Sequence, residues 1–162
     1  MRTAPRLSRF HRAEDGAALV EFALLLPIFM LFIGLAVEGG RTFWAYQTTI
    51  TGVRDATRYL GRVVESDACT TGASTTRWDT RLAQIVRTDL DGDTLLPAAV
   101  DIDSVTSSLD CIGGAYRGGA APVATVTATL RIRYPFSGLM RLGGIDVDTV
   151  TTTVSDSTRI IG

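Results

Sequence analysis

Glu21 is the side chain whose place in this sequence asks for a chemical reason. It stands inside an otherwise apolar run from Ala17 to Val37, five residues past Gly16. A carboxylate at membrane depth costs about 2.5–3.5 kcal/mol at the centre of a helix and less toward an end. Such an acid snorkels, is protonated, or meets a cation. Two cysteines, Cys69 and Cys111, both follow the run. Outside a membrane such a pair is expected to form one disulfide; in a cytosolic protein it would be two free thiols. Asp89, Asp91 and Asp93 space like the start of a calcium loop, but Thr94 and Val100 stand where that loop needs Gly and Glu. These three acids are therefore expected to end a helix in a turn. The single histidine, His11, lies in the N-terminal tail, which leaves no His partner for a Ser or Cys nucleophile elsewhere. No catalytic residue, metal site or cofactor is expected, and the chain is not read as an enzyme.

The elements that must position Glu21 follow from the apolar pattern. Residues 1–16 carry Arg2, Arg6, Arg9 and Arg12 against Glu14 and Asp15 and form a short basic leader. A helix over residues 17–37 spans about 31 Å, close to the hydrocarbon thickness of a bilayer. Arginines flank the run only on its N-terminal side until Arg41, so the leader is expected in the cytoplasm and the remainder outside. Pro27 falls mid-run and removes one backbone hydrogen bond, which predicts a kink or a local loosening. Trp44 and Tyr46 suit an outer aromatic anchor.

Past Gly39 and Gly40, the residues Phe43, Tyr46, Ile50, Val53, Thr57, Leu60 and Val64 recur every three or four positions, the stripe of an amphipathic helix. One long helix through residue 64 is expected, the alternative being two helices broken at the glycine pair. Residues 66–76 look like a polar loop. A second helix is predicted over residues 77–90, with Trp78, Leu82, Ile85 and Val86 on one face and Thr75 or Thr76 as its cap. The C-terminal half turns to period two. Strands are predicted from Val100, over 123–134, and over 145–155 with a bulge near Thr149 and Val150. Residues 111–122 and 135–144 are expected as loops. The fold class is α+β: a long N-terminal transmembrane-plus-amphipathic helix, a short second helix, and an antiparallel sheet of three or four strands. The amphipathic half of the helix should lie across one face of that sheet. The expected organisation is a leader over 1–16, a transmembrane helix over 17–38 and a domain on the far side of the membrane over 39–162, periplasmic by the resemblance given next. A net charge of −1 gives no bulk field for nucleic acid.

The basic tail, DGAALVEFALLLP, the long helix, and a late YPFSGLM followed by a Thr/Val strand resemble the TadE-like pseudopilins of the tight-adherence (Flp-type) pilus. The likeness is strongest over residues 14–47 and 133–153. It implies a pilin-like fold and cleavage by prepilin peptidase between Gly16 and Ala17. The cut would leave a new α-amino cation on Ala17, one helical turn from Glu21. It also implies that Glu21, with Phe22 beside it, serves assembly, the carboxylate pairing with the amine of a neighbouring subunit. The implied partners are prepilin peptidase, other TadE-like or related pseudopilins, the major pilin and the inner-membrane assembly platform. The implied setting is a bacterial inner membrane, crossed once, in support of surface adhesion and biofilm formation. Two other readings remain open on the residues. One is an uncleaved bitopic protein with a periplasmic partner-binding domain. The other is a secreted protein cut after Gly34-Leu35-Ala36, whose small residues signal peptidase accepts.

Overall fold

The computed structural model describes residues 15–89, 91–115 and 119–161. The arginines and histidine of the leader, and Leu90 at the expected end of the second helix, lie outside the described residues. Helix α1 runs unbroken over Asp15–Val63, with Pro27 inside it and no interruption at Gly39 and Gly40. A turn of helix, α2, follows at Ala68–Thr71. A 3₁₀ turn over Thr76–Trp78 leads into α3, Asp79–Arg87. Strands β1 (Val100–Ile112) and β2 (Ala121–Arg133) come next, then the short helix α4 (Ser137–Leu142) and strand β3 (Thr149–Arg159). The three strands form one antiparallel sheet in the order β1-β2-β3.

The core lies between one face of this sheet and the C-terminal half of α1. From β2 come Ala124, Val126, Ala128 and Leu130, all fully buried, as period-two alternation requires. From α1 come Val53, Ala56 and Leu60, also fully buried, and from α3 Leu82 and Val86. All belong to one cluster. Each fully buried Leu or Val contributes about 1.5–3 kcal/mol against exposure. Two glycines let α1 approach its neighbours closely. A Cβ on Gly52 would stand 3.1 Å from the backbone of Val86, and one on Gly61 would stand 2.7 Å from the Thr158 side chain. Tyr59 meets Trp78 edge to face, ring centres 6.0 Å apart. Cys69 of α2 is bonded to Cys111 of β1, Cα atoms 5.7 Å apart.

Several local expectations are corrected. The sheet's irregularity is in β1, where Asp103 is the extra residue between Ile102 and Ser104. Thr149 and Val150 instead pair regularly with Arg133 and Ile132. Residues 145–148 precede β3 rather than forming its start. The expected loop 66–76 contains α2, and 135–144 contains α4; residues 111–112 and 121–122 extend β1 and β2. Neither Thr75 nor Thr76 caps a helix with its side chain. The 3₁₀ turn takes that place, the Trp78 amide donating to the Thr75 carbonyl at 2.9 Å. Asp89 Oδ1 accepts from the amides of Asp91 and Asp93 at 3.0 and 2.9 Å, a turn that uses the carboxylate on backbone.

Candidate functional site: the bare end of the long helix and its junction with the domain

The first turns of α1 place Gly16, Ala17, Glu21 and Phe22 on a rod that the rest of the protein does not touch. Every residue from Gly16 to Met30 is exposed. Leu19, Phe22 and Leu24 present 72%, 60% and 70% of their surface. An apolar surface this continuous is not left facing water in a soluble protein. Among the described residues α1 is the one helix long and apolar enough to cross a membrane. Glu21 lies four residues past Ala17 and so one turn along the same face. It has no hydrogen-bond or ion-pair partner among the described residues. Gly16 is helical, and a Cβ built there meets nothing within 4 Å. Packing therefore gives no reason for glycine at this position.

The other end of the apolar run is built differently. Gly34 and Glu38, one turn apart, are the first buried residues of α1, Glu38 at 2% exposure. Glu38 Oε1 accepts the backbone amide of Phe136 at 2.8 Å, at the start of α4. A Cβ on Gly34 would come within 2.8 Å of Leu139, so glycine here admits α4 against the helix. Gly143, just past α4, packs on Leu31. The α4 segment thus runs back along α1, from the level of Glu38 to the level of Leu31. Arg141 binds Asp146 through Nε and Asp148 through Nη2, both at 2.7 Å. The hydrogen bond and charge of Asp146, then the charge of Asp148, raise the Arg141 pKa above its ordinary value, so this side chain stays charged. Above α4 an open groove of about 670 Å³, mostly apolar, lies between Leu35, Phe43 and Tyr46 of α1 and Met140, Ile145 and Val150.

Gly16, Ala17, Glu21 and Phe22 therefore share one exposed end, whereas Cys69 and Cys111 sit in the sheet domain away from it. Glu38 was not among the residues singled out in the sequence. Its spacing of four from Gly34 at the edge of the apolar run was the available signal.

These features define a two-layer α+β domain carried on a helix with the length and polarity of a membrane anchor. A family model described as TadE-like protein matches residues 16–58, wholly within α1, and supports the resemblance carried by that helix. No curated protein and no solved structure matches the chain.

Proposed function

We propose that this protein is a minor pseudopilin or assembly factor of a tight-adherence pilus, anchored by α1 with its N-terminus cytoplasmic and its sheet domain periplasmic. The observation that carries this reading is the bare apolar helix Gly16–Met30 with an unpartnered carboxylate at Glu21. The TadE-like match to the same helix supports it. Prepilin peptidase cuts after Gly16 and frees the Ala17 amine. Glu21 then pairs with the amine of a neighbouring subunit, Phe22 packing beside it, which offsets the burial of charge and sets axial register. A buried pair of this kind serves specificity more securely than net stability. The role is structural, with no catalytic residue of its own. The partners are the peptidase, other pseudopilins and the major pilin, and the assembly platform of the inner membrane; the outcome is adhesion and biofilm formation.

The test is the N-terminal residue of the protein purified from its native membrane. Ala17 is expected. A start at Val37 would replace the reading with a secreted domain. An intact leader would favour the second reading, an uncleaved bitopic protein, which the acids Glu14 and Asp15 just before Gly16 also favour. Gly16→Leu is expected to leave an uncut precursor in the membrane; mature-sized protein in that variant would sink the processing step. Glu21→Ala is expected to be cut normally yet fail to support pili, and wild-type piliation would remove the pairing role.

A further inference from the structure

The length of bare helix does not match the thickness of the membrane it is read as crossing. Gly16–Met30 is the stretch of α1 free of other elements, and at 1.5 Å per residue it reaches about 22 Å. The hydrocarbon core is about 30 Å thick. The shortfall, about 8 Å, is made up by the residues from Leu31 onward, and these are the residues on which α4 and its following glycines pack. An apolar span that begins at Ala17 therefore carries α4 below the outer surface of the hydrocarbon.

We infer that the segment Phe136–Ile145 is seated in the outer leaflet, a lipid-facing wedge beside the anchor rather than a periplasmic loop. This rests on the reading of α1 as a membrane span. Three features suit the segment to lipid. Its apolar side chains are bare where no protein element covers them: Leu142 at 77% exposure, with Phe136 and Ile145 also exposed. Leu142 lies at the Leu31 end of the segment, the deeper end by the packing of Gly143. Its backbone is largely closed on itself, which irregular structure at this depth requires. The amides of Ser137, Leu139, Met140, Gly143, Gly144 and Ile145 donate to carbonyls of Tyr134, Phe136, Met140 and Arg141, and that of Phe136 donates to Glu38. Its one cation, Arg141, brings its own counter-charges in Asp146 and Asp148 and has a long stem with which to reach the headgroups.

The test uses the full chain in phosphatidylcholine vesicles, with a nitroxide on a single new cysteine. Cys69 and Cys111, bonded to each other, take no label. Three variants are compared: Leu142→Cys, Leu24→Cys in the span, and Ser155→Cys on β3. Collision of the label with dissolved oxygen, which concentrates in lipid, is measured against collision with a water-soluble nickel chelate. Oxygen preference at 142 and at 24, with nickel preference at 155, is the expected result. Oxygen preference at 24 with nickel preference at 142 overturns the wedge and leaves the span intact. Nickel preference at 24 overturns the span and the wedge with it. Shielding of 142 from both agents means protein covers it, a second copy being the candidate, and overturns the lipid assignment. Little of the protein covers Leu142, so its replacement leaves the packing of the domain in place.

Discussion

The two halves of α1 are the same helix put to opposite uses. From Gly16 to Met30 the side chains are nearly all apolar and none is covered. From Ala45 to Val63 apolar and small residues alternate with Arg54, Asp55, Arg58 and Arg62, and the apolar ones are buried at spacings of three and four. The more apolar half is therefore the one with no protein partner. Total hydrophobicity marks the solvent the helix was made for, and periodicity marks the face that will be packed. Glycine divides in the same way: Gly52 and Gly61 admit a neighbour, while Gly16, Gly39 and Gly40 have empty space where a Cβ would go.

The sharpest way to break this contrast is to truncate a leucine in each half. Leu60→Ala is expected to cost the domain about 2–5 kcal/mol through lost burial and the cavity left behind. Leu24→Ala should leave unfolding of the domain within about 0.5 kcal/mol. Chemical denaturation in detergent, followed by the near-ultraviolet signal of Trp78, checks both, and equal effects would mean the halves are not independent. Next comes the pair of acids. Glu38→Ala removes a charged acceptor from the Phe136 amide, an interaction worth about 1.5–3 kcal/mol. Faster hydrogen exchange at Phe136 and through α4 is the expected sign, and unchanged protection there would show that the Gly34 contact alone holds the segment. Glu21→Ala should not alter domain stability at all. The glycines give a comparable contrast. Gly52→Ala forces a Cβ toward the Val86 backbone and should destabilise by about 1–3 kcal/mol. Gly39→Ala should be neutral or stabilising by up to about 1 kcal/mol, because it gains helix propensity and meets nothing. A destabilising Gly39→Ala would reveal a contact at that face.

The long helix was legible because its two signals, an apolar run and then a three-four stripe, join without a strong breaker between them. The β2 face was equally plain in the alternation of Val126, Ala128, Leu130 and Ile132. What stayed hidden depends on contacts between distant residues. Helix α4 has six residues and begins among Pro135, Phe136 and Ser137, with glycine inside it and two more behind it. Nothing local favours a helix there. It is held by Glu38 and by the space at Gly34, about a hundred positions earlier. The bulge at Asp103 was misplaced to β3 because alternation locates a strand but not the partner against which one residue becomes extra. Glu21 drew notice by standing inside the apolar run, whereas Glu38 stands one residue past it and passes for an ordinary solvated acid. Only its spacing of four from Gly34 hinted that Glu38 would be buried.

The bulge in β1 bears on crowding. With the order β1-β2-β3, β1 is an outer strand, and an outer strand offers a row of amides and carbonyls on which a stranger's strand can add. Many copies anchored side by side in one membrane would meet that hazard constantly. Asp101 and Asp103 put carboxylates on this strand, each tied to an arginine of β2, and the extra residue at Asp103 breaks the even spacing that strand addition needs. At the β1 edge, the irregularity and the two ion pairs stand against such addition; β3, the other outer strand, pairs in regular register and has no such bulge.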